Sequence, residues 1–218
     1  PGGLEDLEVY RQEVIHGVHD HWIDPAAGKW EYTYHERLFR YAVPGKGVTD
    51  QIAKCIDKLA EAPHTRRAQA VTWQVWNDLG IADPACLQRL WFRISGDELY
   101  LHVHMRSNDA YKAAFMNMFA FTDIQRMVAE ELSSRLGRAI RPGRYVHCAD
   151  SFHIYGSYFA EFEGFLKTVK SRTWENRTWP SEFARPMFAD GLTRLLAEPD
   201  LPADKRQLVQ ADLERFQQ

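Results

Sequence analysis

The spacing of apolar residues changes along this chain, and each change marks an element. Leu4, Leu7, Tyr10, Val14 and Ile15 fall at helical spacing and predict a helix over 4–18. Residues 19–33, with Trp22, Pro25, Gly28 and Trp30, read as a loop, 34–41 as a short strand or irregular segment, and 44–47 as a turn. A second helix follows, capped by Thr49, with Ile52, Ile56, Leu59 and Ala60 on one face and Pro63 at its end. Residues 68–74 read as a strand and 79–84 as a loop. Residues 87–94 and 98–105 alternate in polarity across Ser95-Gly96-Asp97, which predicts an antiparallel hairpin. Arg106-Ser107-Asn108-Asp109 then reads as a polar turn opening a helix from Ala110 to Leu136. Met116, Phe119, Ala120, Ile124, Met127 and Val128 form its apolar stripe, and Gly137 stops it. A strand over 140–147 interrupted by Pro142-Gly143, a helix over 157–169, and two helices over 181–197 and 204–216 complete the chain. Strands and helices without strict alternation predict an α+β fold.

Composition narrows the function. The 218 residues carry a net charge of −3, which argues against a broad nucleic-acid footprint. No apolar run approaches the ~20 residues that span a bilayer, and no signal peptide is visible. Cys55, Cys86 and Cys148 are an odd number without a Cys-x-x-Cys pair, which suggests a reducing, cytoplasmic setting.

Several groups could carry chemistry, and each also has an ordinary structural reading. A polar turn at a helix start offers free N–H groups, so Arg106 and Ser107 could seat a phosphate; Ser107, Asn108 and Asp109 are equally good helix caps. Asn117 is an amide among apolar neighbours, and buried amides need partners, which a ligand can provide. Cys86, behind Pro84-Ala85, could be a nucleophile if a cation lowers its pKa, or a small buried hydrophobe. Arg66-Arg67 could hold a phosphate or be a solvated pair. His153 and Tyr155 share a face of an extended segment and suit a hydroxyl-bearing ligand. His16, His19 and His21 with Asp20 have the density of a metal site, which would suit a zinc hydrolase, but not a zinc motif's spacing; no metal is expected.

Taken in order, these segments resemble the thymidylate synthase and pyrimidine-nucleotide hydroxymethylase family. The resemblance runs through 49–73 with its double arginine, Pro84-Ala85-Cys86, Arg106-Ser107-x-Asp109, Asn117 and His153-Ile154-Tyr155. It implies a mixed or antiparallel sheet forming a dimer interface and packed with helices, in a catalytic domain over 1–180. Residues 181–218 would be a divergent helical extension packed on that domain. The implied partners are a pyrimidine nucleoside 5'-monophosphate, 5,10-methylenetetrahydrofolate as co-substrate, and a second copy of the chain. No nucleic acid or membrane is expected to bind.

By the resemblance, Cys86 attacks C6, Arg106 neutralises the substrate phosphate and lowers the Cys86 pKa, and Tyr34 assists proton removal from C5. Ser107 binds the phosphate, and Arg66 and Arg67 reach the phosphate in the partner's site. His153 and Tyr155 hold the sugar, and Asn117 reads the base, leaning toward uracil over cytosine. Asp109, Trp22 and His19 face the folate. The chain departs from the family at His19, where a tryptophan is usual, at Leu87 for a histidine, at Ala113 for a glycine and in its C-terminal segment. The family's general-base glutamate is expected upstream of Pro1, outside this sequence. His19 and the divergent C-terminus suggest a site that admits water, hence a hydroxymethyl product. The alternatives are thymidylate synthase, converting dUMP to dTMP by hydride transfer from the folate, and an inactive nucleotide-binding homologue.

Overall fold

The structure, a computed structural model, describes residues 3–217. Helix α1 (Leu4–His16) ends at Gly17, whose φ of 62° is the left-handed conformation glycine reaches without a Cβ penalty. A tight turn, Asp20–Trp22, follows.

Helix α2 (Tyr34–Phe39) stands where a short strand or irregular segment is expected over 34–41. Thr33 caps it, its Oγ1 accepting the Glu36 N–H at 3.0 Å, and Arg37 and Leu38 are buried along it. The chain becomes extended only at β1 (Tyr41–Val43), which pairs with β2 (Gly47–Thr49). The cap of α3 (Gln51–Glu61) is Asp50, which accepts the Ala53 N–H at 2.8 Å; Thr49 belongs to β2 instead. Next come β3 (Gln69–Val71), α4 (Val75–Asp78), β4 (Leu87–Ser95) and β5 (Glu98–Asp109). The remainder is α5 (Ala114–Leu136), β6 (Arg141–His153), α6 (Phe159–Ser171), α7 (Ser181–Ala197) and α8 (Ala203–Gln217).

The main sheet has the order β3-β4-β5-β6, antiparallel except for the parallel pair β5–β6. This corrects the reading of Arg106–Asp109 as a turn at a helix start. Strand β6 continues to His153, setting Ser107 beside Ser151 and Asp109 beside His153. Ladder bonds thus engage the backbone that a helix start would leave free, and α5 begins only at Ala114. Pro142-Gly143 does not break β6. The ladder register shifts there, and a Cβ on Gly143 would come within 2.7 Å of the Glu98 Cβ, so glycine permits the close approach.

One sheet face carries Leu90, Phe92, Leu99, Leu101, Val103 and Met105. It packs on Phe121, Ile124, Val128 and Leu132 of α5 and on Ile52, Ile56 and Leu59 of α3. At ~1.5–3 kcal/mol for each large apolar side chain buried, this layer dominates stability. The other face shows half-buried Trp91, Tyr100, His102 and Val146 and exposed Cys148. The α7–α8 hairpin has its own cluster of Leu192, Leu195, Leu201, Val209 and Leu213, into which Val18 inserts from the end of α1. Helix α7 lies close along α1: a Cβ on Gly191 would sit 2.5 Å from the Glu5 carbonyl oxygen. Among the described residues no helix is long and apolar enough to cross a membrane.

Candidate active site

A cavity of ≈ 560 Å³ opens beside α1, walled by Tyr10 and Glu13 of that helix, Trp30, Tyr32, Tyr34 and Asp83. Tyr10 and Glu13 reach it together because residues three apart share a helix face. Cys86 lies beside Tyr32: its backbone N–H donates to the Tyr32 Oη at 3.2 Å, and its side chain is half-buried. Arg106, from β5, clamps the segment carrying this cysteine. Its Nε donates to the Ala85 carbonyl at 3.0 Å, its Nη2 to the Pro84 carbonyl, and its backbone N–H to the Cys86 carbonyl at 2.8 Å.

Burial pushes the Cys86 thiol up; Arg106 draws it down, Asp83 pushes it further up, and the net is above the ordinary thiol value. The activation expected from Arg106 is present in direction but smaller than the cost of burying the thiolate. Burial also raises the phenols around it, Tyr32 to about 12 and Tyr10 and Tyr34 well above their usual value. All three stay protonated near neutral pH and can act as donors.

The other predicted residues take distinct places. Asn117 is buried, and its Oδ1 accepts from the Tyr10 hydroxyl at 2.5 Å, so it reaches the cavity wall through Tyr10. Asp109 Oδ1 accepts the N–H groups of Tyr111 (2.8 Å) and Lys112 (3.1 Å), closing the turn into α5. Ser107 is half-buried. His153 Nδ1 lies 3.2 Å from the Ser151 hydroxyl, and its ring meets the edge of exposed Tyr155 at 5.0 Å. Arg66 and Arg67 are exposed, away from this cavity, and make no ion pair among the described residues.

His19 is buried with both ring nitrogens engaged. Nδ1 lies 2.8 Å from Glu13 Oε1 and Nε2 lies 3.0 Å from Glu198 Oε2. Its ring stacks on Trp22 at 3.7 Å, and Trp22 meets the edge of Trp30 at 5.2 Å. His16 turns instead to Asp212 (3.4 Å) and His21 to Asp200 (3.2 Å), so the three histidines diverge. Among the described residues no group of three or more His, Cys, Asp or Glu could hold a metal ion.

Tyr10, Glu13 and Tyr32 were not singled out in the sequence. Tyr10 falls on the apolar stripe of α1, which hides its polar end from a pattern reading. Its i, i+3 relation to Glu13 and the Tyr32-x-Tyr34 pair were the available signals.

The thymidylate synthase family profile matches residues 4–178. A "Putative thymidylate synthase" of Methanopyrus kandleri is 34% identical over 161 residues, covering 71% of this chain and 72% of the relative. One of the same description from Methanocaldococcus jannaschii is 30% identical, covering 71% and 65%. A "Thymidylate synthase" of Haloferax volcanii is 28% identical, covering 87% and 61%. The chain thus spans less than two thirds of the last two. This family transfers one-carbon units to C5 of pyrimidine nucleotides, with 5,10-methylenetetrahydrofolate as co-substrate. With a clamped cysteine beside a phenol-lined cavity and a profile match over most of its length, this chain belongs to the thymidylate synthase family.

Proposed function

We propose that the protein transfers a one-carbon unit to C5 of a pyrimidine nucleoside 5'-monophosphate and releases the 5-hydroxymethyl product. The observation that carries this is Cys86, held by Arg106 beside a cavity walled by Tyr10, Tyr32, Tyr34 and Glu13. An aromatic C5–H is inert until C6 is saturated. The Cys86 sulfur bonds to C6, and the ring electrons make C5 nucleophilic. When bound, 5,10-methylenetetrahydrofolate supplies the carbon. The C5 proton and tetrahydrofolate leave as the carbon–nitrogen bond to the folate breaks, water adds at the exocyclic carbon so freed, and the C6–S bond breaks to return the thiolate. Tyr34 and Glu13 are the wall groups that can pass these protons.

Trp30, which lines the cavity and stands edge-on to the Trp22–His19 stack, offers an aromatic face to a fused heteroaromatic ring, with Asp109 as a more distant polar contact. Arg106 and Ser107 take the substrate phosphate, Asn117 reads the base through the Tyr10 wall, and His153 and Tyr155 take the sugar. The exposed Arg66 and Arg67 and the half-buried second sheet face support a homodimer in which these arginines enter the partner's site.

The hydroxymethyl outcome rests on the cavity wall, where Glu13, Lys29, Glu31, Thr33 and Asp83 can hold water beside the reacting carbon. It does not rest on His19 opening the site, since that ring is buried and doubly bonded. The relatives' names favour a methyl product as the second reading. Incubation with each of UMP, dUMP, CMP and dCMP plus 5,10-methylenetetrahydrofolate, with product masses read, separates them. A gain of CH2O supports the proposal, and a gain of CH2 with dihydrofolate released supports the second reading. No mass change on any nucleotide supports an inactive homologue.

A further inference from the structure

The α7–α8 hairpin lies beyond the stretch that matches the family profile, which ends at 178, yet it touches the cavity wall through one buried ring. Glu198 closes α7 with extended backbone, and the Arg206 guanidinium fixes that turn by donating to the Leu196 carbonyl and, at 2.9 Å, to the Glu198 carbonyl. The Glu198 carboxylate meets His19 Nε2, and His19 Nδ1 meets Glu13, which lines the cavity. The adjacent Asp200 accepts from Trp22 Nε1 at 2.9 Å, which anchors the ring stacked on His19.

We propose that Glu198 is a positioning residue for the reaction: acting through His19, it sets the direction of the Glu13 carboxylate at the cavity wall, where Glu13 exchanges protons with bound substrate. This rests on the one-carbon-transfer reading. An imidazole has two nitrogens, and the partner of one decides what the other presents. With a carboxylate on each side both nitrogens donate, so Glu13 receives a charge-assisted bond that holds it in one rotamer. The groups around the His19 ring are consistent with a retained proton. Glu13 faces it from α1 and Glu198 from the hairpin turn, Trp22, His21 and the Trp30 edge face it from the loop, and Asp200 lies beyond them, bonded to Trp22 and His21. Burial lowers the His19 pKa, and the bonds to Glu13 and Glu198 outweigh it, leaving the ring above its ordinary value. An apolar or amide side chain at 198 would leave Nε2 without an anion, and the ring would give up its proton at lower pH.

The test uses the whole chain with Glu198→Gln, Glu198→Ala and the rescue variant Glu198→Asp. Histidine NMR without substrate follows the His19 titration, and turnover of C5-tritiated nucleotide gives kcat and KM against pH. Glu198→Gln is expected to move the His19 titration to lower pH. It should also cut kcat about tenfold or more, the scale of one lost charge-assisted hydrogen bond, with KM for nucleotide nearly unchanged and the basic limb of the profile shifted down. Glu198→Asp should recover part of both. An unmoved His19 titration and an unchanged profile in Glu198→Gln would overturn the proposal. If the wild type turns over no nucleotide, the one-carbon reading fails, while the NMR titration still decides whether Glu198 controls His19. Should Glu198→Ala fail to fold, the near-isosteric Glu198→Gln carries the test.

Discussion

Removing the carboxylate of Asp78 will destabilise this fold about as much as truncating a large core side chain. Arg37 is 2% exposed, and Asp78 takes both of its terminal nitrogens at 3.0 Å in a bidentate pair. The same guanidinium donates to the Thr72 carbonyl at 3.0 Å, and Asp78 also accepts the Gln74 N–H at 2.6 Å. Asp78→Ala therefore strands a buried cation and a buried N–H. Breaking a buried pair by deleting one partner costs ~3–5 kcal/mol. The lower end applies here because Glu36, 3.0 Å from Arg37 Nε, still offsets part of the charge. For a chain of this size ~3 kcal/mol corresponds to roughly 6–12 °C in Tm. Urea titration should show the midpoint falling at constant slope, with thermal unfolding shifted to match. The double change Arg37→Met with Asp78→Leu should recover most of the loss, because it removes the stranded charge. A single-variant loss under about 1 kcal/mol would mean that the guanidinium reaches water and that the pair is not buried in solution. The effect should also reach the site: Arg37 lies 5.5 Å over the Tyr32 ring, and Tyr32 receives the Cys86 N–H.

Iodoacetamide should label exposed Cys148 readily and leave Cys55, which burial pushes up to about 12, nearly untouched. At Cys86 the rate should keep climbing with pH past the ordinary thiol range, and Arg106→Met should move that climb higher still; peptide mapping reads both. Burial pushes the Asp212 carboxyl up, but bonds from His16, Gln12 and Arg11 outweigh it and hold it well below the usual range. Its contribution to stability is therefore complete above the ordinary carboxylate range and disappears as pH falls toward the depressed value. Urea midpoints taken from neutral to strongly acid pH should fall less steeply for Asp212→Asn than for wild type. Gly191→Ala forces a Cβ against the Glu5 carbonyl, so it should cost about 1–3 kcal/mol and make the segment after 178 more sensitive to limited proteolysis.

Much of the fold was legible in the sequence where pattern and local chemistry agree. The hairpin around Gly96, the stripe and Gly137 stop of α5, and the C-terminal helices near 181–197 and 204–216 all stand as the spacing predicts. The failures share a cause, which is that tertiary partners decide. Tyr34–Phe39 looked extended because its polar Arg37 falls on the inner side, where only the distant Asp78 makes it acceptable. Arg106–Asp109 looked like a helix start because cap residues are also good strand-end residues, and nothing local announces that β6 runs parallel beside them. At the site, the resemblance pairs Cys86 with Arg106, and the structure ties Arg106 to the carbonyl of Ala85, the residue before that cysteine. It could not supply the Glu13–His19–Glu198 chain, whose outer members lie far apart in sequence and whose histidine stands where a tryptophan is usual.

The proposed chemistry begins with addition of Cys86 to C6 of a pyrimidine nucleotide. Tritium release from C5-labelled nucleoside monophosphates in the presence of 5,10-methylenetetrahydrofolate, compared between wild type and Cys86→Ser, tests it most directly. Wild type is expected to release tritium from at least one of the four nucleotides, and Cys86→Ser to lose that release. Release that persists in Cys86→Ser, or its absence on all four with folded wild type, would contradict such addition.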